Sequence, residues 1–197
     1  ATAIVRRRIS KDGGVTWGEI DTLFDEVGTF IRQPMLVLDN GDWILPIFHC
    51  LPVPGEDWHG QNDVSAVKIS TDQGRTWSEH PVPDTKGAVH MNIVQRKDGS
   101  LAAFFRSRYA DNIMTATSAD NGRTWTRPVA TELPNNNSSI QVRDLRDGRW
   151  ALVFNNVAAA PDIRANAKGA PIWGVPRTPL SLALSYDEGR SWPEIRD

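Results

Sequence analysis

Short runs of alternating apolar and polar residues succeed one another along the chain, and no stretch carries the 3.6-residue apolar spacing of a helix. In Val64-Ser65-Ala66-Val67-Lys68-Ile69, every second side chain falls on the same face of an extended strand. Reading for such runs predicts strands over 1–9, from Trp17 to about Leu23, and over 30–38, 43–48, 64–69 and 89–96. Further strands are predicted over 101–106, 112–118, 138–145, 150–155 and 179–185. Turn residues separate them: Asp39-Asn40-Gly41-Asp42, Lys97-Asp98-Gly99-Ser100 and Arg146-Asp147-Gly148-Arg149. Asn-Gly and Asp-Gly suit the positive φ angles of tight hairpins.

One eight-residue pattern, S-x-D-x-G-x-[TS]-W, occurs four times, with its aspartates at Asp12, Asp72, Asp120 and Asp187. The aspartate can hydrogen-bond backbone amides just ahead of it. The glycine supplies positive φ, the Thr or Ser hydroxyl adds a local bond to backbone, and the Trp starts a strand and buries a large apolar plate. Repeats at intervals of about 50 to 70 residues mark radial or stacked architectures in which each repeat is one supersecondary unit.

Four antiparallel strands per repeat is the pattern of a propeller blade. The expected fold is therefore all-β: one partial β-propeller domain, 1–197, of about three and a half blades. Its parts are an outer half-blade at 1–24 and blades at 29–83, 88–132 and 138–197. A stack of this size leaves blade faces open. The chain is expected to be part of a larger propeller, or to self-associate so that two copies complete each other. The loop 156–178, with Ala158-Ala159-Ala160-Pro161 in it, reads as low-complexity and mobile.

Composition narrows the partners. The 197 residues are 40% hydrophobic, enough for a core, and include 8 Trp. A net charge of −2 and a pI of about 6.1 argue against nucleic acid and anionic membranes. Nothing is long and apolar enough to span a bilayer. The single Cys50 forms no disulfide within the chain. The histidines lack ligand spacing and the boxes do not match a calcium loop, so no metal and no cofactor are expected.

In a blade whose strands run from axis to rim, turns alternate between two faces. The first-to-second strand turns and the boxes share one face. The long polar loops share the other, where they bring Arg32, Gln33, His49, Asp57, Asp63, His90, Asn92, Arg106, Arg108, Asn136 and Asn155. Arginines, amides, carboxylates and Trp58 suit a sugar, which offers hydroxyls and an apolar ring face. Guanidinium forks at strand ends (Arg32, Arg106, Arg108) suit an anionic group such as a carboxylate.

With these residues in view, the sequence resembles the sialidase (neuraminidase) superfamily, whose repeats are called Asp-boxes or bacterial neuraminidase repeats. More closely, it resembles the neuraminidase-like subfamily of bacterial predicted exo-sialidases. The four boxes carry the match, with Ile31-Arg32-Gln33-Pro34, Phe104-Phe105-Arg106-Ser107-Arg108 and Leu133-Pro134-Asn135-Asn136-Asn137 in support. The resemblance implies a six-bladed parent and a retaining glycoside hydrolase that removes terminal sialic acid or a similar anionic sugar from glycans. Such enzymes use an Asp as acid/base, a Tyr–Glu nucleophile pair and three arginines on the substrate carboxylate. By that resemblance Arg32 is the first carboxylate contact, Asp57 the catalytic acid with Asp63 second, and Arg106 and Arg108 the rest of the clamp. Gln33, His49, His90, Asn92, Asn136 and Asn155 are expected to line the substrate site.

The departures are specific. A box precedes the Arg-x-Pro strand that the family keeps in its first blade. Only Tyr109 and Tyr186 exist, and neither has an evident Glu partner on the polar face. Two other classes therefore stay open: a related propeller enzyme on other anionic polysaccharides, with His49 and His90 as acid/base groups, and a carbohydrate-binding propeller without turnover. A glycan substrate favours a secreted or periplasmic location, while the lone cysteine and the lack of a visible signal leave a cytoplasmic one open.

Overall fold

The computed structural model describes residues 2–197. A two-stranded sheet comes first, β1 (Val5–Arg7) with β2 (Asp21–Phe24). The next sheet runs β3 (Thr29–Ile31), β5 (Trp43–His49), β6 (Val64–Ser70), β7 (Ser78–Pro81), with β4 (Leu36–Val37) also paired to β5. Then come β8 (Ala88–Gln95), β9 (Leu101–Ser107), β10 (Asn112–Ser118), β11 (Val129–Pro134), and finally β12 (Gln141–Asp144), β13 (Trp150–Asn155), β14 (Leu180–Ser185), β15 (Glu194–Arg196). All pairings are antiparallel and, apart from β3 with β5, join strands adjacent in sequence, so the architecture is that of a partial propeller.

The core lies between sheets. Ile44, Val67 and Ile69 of one sheet pack on Met91, Ile93, Leu101 and Phe105 of the next. Phe104 and Ile113 pack in turn on Leu152 and Phe154. Buried and exposed residues alternate along β14 because Ser181, Ala183 and Ser185 face the preceding sheet. Its other face leaves Leu180, Leu182 and Val153 of β13 exposed.

Each box is a closed hydrogen-bond hook. Asp72 Oδ1 accepts from the amides of Arg75 (3.0 Å) and Thr76 (2.9 Å) and from the Ser70 hydroxyl (2.7 Å). The Thr76 hydroxyl donates to Asp72 Oδ2 at 2.6 Å, so it binds the carboxylate rather than backbone as expected. The boxes of Asp12, Asp120 and Asp187 repeat the bonds from the Ser hydroxyl and from the amide and hydroxyl four residues on. The indoles then pack backwards onto the preceding sheet: Trp77 edge-on to Phe24, Trp192 edge-on to Phe104, and Trp125 within the core between the β3–β7 sheet and the β8–β11 sheet. Trp17 has no preceding sheet among the described residues and is 55% exposed, against the expectation that all four would be buried.

Other expectations need correction. The inner strand expected over 30–38 is broken at Arg32–Met35; Pro34 and, opposite the gap, Pro46 have no N–H to donate. The strand over 138–145 shortens to β12, and that over 1–9 to β1. A helix, α1 (Pro161–Ala167), stands in the loop expected to be low-complexity and mobile, between the third and fourth boxes. It buries no residue and does not enter the strand order. That loop is tied down by Ala159 N to Ala110 O (2.7 Å) and Ile172 N to Arg108 O (2.8 Å).

Candidate functional site

Two faces are distinct, as the alternation of turns requires. On one, the hairpin turns meet the boxes: Arg123 donates to Asp42 at 2.9 Å, and the Lys97 amide to Glu188 at 3.1 Å. The opposite face gathers Arg32, Arg106, Arg108 and Arg177.

Two irregular inner strands aim side chains there. The gap between β3 and β4 presents Arg32, which is exposed. In β8, the register shifts between Val89 and Asn92, and His90 sits at that bulge with φ +56°. A bulge re-aims a side chain out of the ladder. The His90 ring packs against Phe48, 4.8 Å between centroids. Its Nδ1 lies 2.6 Å from Ser139 Oγ and 3.5 Å from Arg106 Nη1.

Arg106 ends β9. Its Nε donates to Asn137 Oδ1 at 2.7 Å, and Asn137 is held by Ile172 O at 2.7 Å. No carboxylate pairs with this guanidinium among the described residues, although it is 8% exposed. Burial, then Arg108 and Arg177 nearby, bring its pKa down to about 9. A buried cation crowded by other cations is an anion site in waiting. Arg108 differs: its Nη2 donates to Asp63 Oδ2 at 2.6 Å, with both side chains almost wholly buried. Asp63 Oδ1 also accepts from Trp58 Nε1 at 2.9 Å.

Two indoles roof the arginines. Trp173 lies 5.6 Å from the Arg106 guanidinium and 5.0 Å from that of Arg108. Trp58 is 5.3 Å from Arg108 and 6.0 Å from Trp173. Trp173 Nε1 donates to His59 O at 3.3 Å, which joins two long loops. Trp58 and Trp173 remain 39% and 48% exposed, so ring surface is left for a ligand.

The sequence candidates divide. Arg32, His90 and Arg106 come together: Arg32 and Arg106, with Arg108, all act electrostatically on His90. Asp57 is exposed on the loop that brings in Trp58. The rest make polar contacts inside the fold, although Arg108 Nε and Asn136 Oδ1 are buried without a partner. Asp63 is 0% exposed and locked to Arg108, which does not suit an acid that must reach a substrate. Gln33 donates to Ile140 O at 2.9 Å, and Asn92 accepts from Val142 N at 2.8 Å, bridging inner strands. Asn136 and Asn155 donate to Pro176 O (2.7 Å) and Arg177 O (2.8 Å). His49 turns away to Glu79 Oε1 (2.9 Å), in a network with Lys68 and Glu26. Sequence reading missed Arg177 and Trp173, which belong to a loop with no strand pattern; an Arg and a Trp inside a small-residue run were the available signal.

A cavity of about 470 Å³ lies elsewhere, between Leu36, Ile93, Arg96 and Arg143 on the inner strands toward the hairpin-turn end.

The family described as BNR repeat-like domain matches residues 1–197. Among solved structures, the chain is similar to the NanB sialidase of Streptococcus pneumoniae in its K499G mutant, at 20% identity and TM-score 0.64, covering 94% of this chain and 27% of that one. It is also similar to the intramolecular trans-sialidase from Ruminococcus gnavus, at 19% identity and TM-score 0.64, covering 90% and 35%. A Dyadobacter fermentans protein of unknown function shares 17% identity at TM-score 0.65, covering 90% and 46%. The chain thus spans less than half the length of each. No curated protein matches it.

Proposed function

The chain belongs to the BNR repeat-like domain family, and from that we propose that its arginine face binds a carboxylated sugar as part of a sialidase-type glycoside hydrolase. The observation that carries this reading is Arg106, a buried guanidinium without a carboxylate partner, roofed by Trp173 and flanked by Arg32. A sugar acid supplies what is lacking: a carboxylate for the guanidinium fork and an apolar ring face for the indole. Arg32 and Arg106 hold the carboxylate. Asp57, on the loop bearing Trp58, is the proposed acid. Arg108 supports the site through its pair with Asp63 rather than gripping the ligand.

A second reading, a binding propeller without turnover, is favoured by the tyrosines. Tyr109 Oη donates to Lys86 O at 3.4 Å, and Tyr186 Oη to Glu194 Oε2 at 2.7 Å on an outer strand beyond a box. Neither hydroxyl hydrogen-bonds a residue of the arginine site. A lyase using His49 loses support, because that ring is engaged by Glu79.

Hydrolysis of a fluorogenic sialoside separates the readings. Turnover that falls about 10²–10⁴-fold in Asp57→Asn supports the hydrolase. Binding of N-acetylneuraminic acid without turnover supports the second reading. Arg32→Ala should weaken that binding about tenfold through loss of a charge-assisted fork. A chain that neither binds nor hydrolyses contradicts both.

A further inference from the structure

We propose that His90 contacts the ligand of the arginine site, in the tautomer that directs an Nε2–H donor at an oxygen of the bound sugar acid. This rests on the functional reading above and assigns a specific role to one more side chain of that site.

The tautomer follows from the partners of Nδ1. A guanidinium can only donate hydrogen bonds, so Arg106 Nη1, 3.5 Å away, favours a lone pair on the nitrogen that faces it. The Ser139 hydroxyl, at 2.6 Å, then donates to the same nitrogen. The ring proton is left on Nε2, which has no hydrogen-bond partner among the described residues. The placement is held against backbone preference. A non-glycine residue at φ +56° is uncommon and persists where its surroundings impose it. Here the β8 bulge, the Phe48 ring and Ser139 do so.

The charges around the ring keep it neutral. Arg106 comes from β9, Arg108 from just beyond it, and Arg32 from the β3–β4 gap. No carboxylate among the described residues offsets these arginines at the ring, and Asp63 is spent on Arg108. Burial foremost, then the three arginines, holds the imidazole down at about 3. Its folded pKa is therefore depressed, and the ring does not charge between pH 5 and pH 8. An uncharged donor adds a hydrogen bond without a further cation in a crowded site. Because Nε2 already carries its proton, the ring does not serve there as a base.

Two measurements test this. In ¹⁵N imidazole spectra of the free chain, the His90 signal, identified by its loss in His90→Asn, should show protonated Nε2 and bare Nδ1, unchanged from pH 5 to pH 8. In calorimetric titration with N-acetylneuraminic acid, His90→Asn should bind about tenfold more weakly than wild type. Asn accepts a left-handed backbone but lacks an atom at the Nε2 position. A ring that titrates in that range, or carries its proton on Nδ1, overturns the inference. Equal affinity of wild type and variant does so as well. If the wild type binds no N-acetylneuraminic acid, the functional reading fails, and the spectra alone still decide the tautomer.

Discussion

Single side chains on the polar face divide into those that hold the fold and those left free to bind. Asp63 and Arg108 illustrate the first kind. Replacing Asp63 with Asn leaves a buried guanidinium uncompensated, with Gly60 packed against it. The expected loss is about 3–5 kcal/mol, read from urea unfolding; a loss below about 1 kcal/mol would mean the pair is not buried as described. The box aspartates give a pH dependence. Burial pushes the Asp120 carboxyl up, but bonds from the Thr124 hydroxyl and amide and from Ser118 outweigh it and bring it down to about 2. A depressed carboxylate contributes stability above its unfolded pKa, and that contribution is lost as pH falls from about 4 toward 2. Asp120→Asn should therefore flatten the fall in melting temperature over that window; an unchanged slope would remove the hook from the ledger. At this scale the sequence was half legible. Unpaired cations announce themselves as arginines at strand ends. Whether an amide or carboxylate is free depends on partners far along the chain, such as Ile140 for Gln33 or Pro176 for Asn136.

At the level of elements, the box works by seating its indole on the sheet before it. That predicts a graded series rather than one cost for every Trp. Trp125→Ala, in the core, should destabilise by about 3–5 kcal/mol in urea unfolding. Trp77→Ala, part-buried on Phe24, should cost less, and Trp17→Ala, which covers nothing, within about 0.5 kcal/mol. Equal losses at all three would contradict the seating. Strands and turns were readable because period-two burial and Asn-Gly or Asp-Gly turns are local. The breaks in β3–β4 and β8 were not, since a bulge is set by the partner strand, although Pro34 and Pro46 hinted at the first. Helix α1 left no trace because its seven residues bury nothing, so no apolar stripe was needed.

For the molecule as a whole, repetition fixes polarity. Every box faces one way, so every long connector opens the other, and the arginines of separate sheets converge on one mouth. The exposed outer face of the last sheet and the half-exposed Trp17 lie at the two open ends of the stack. The central claim is that this mouth recognises negative charge on a sugar. Its most direct test is to titrate the chain calorimetrically with N-acetylneuraminic acid and with its methyl ester, in which a neutral ester replaces the carboxylate. We predict that the acid binds at least about tenfold more tightly than the ester and that Arg106→Met erases the difference. Equal affinities for acid and ester in the wild-type chain would contradict the account.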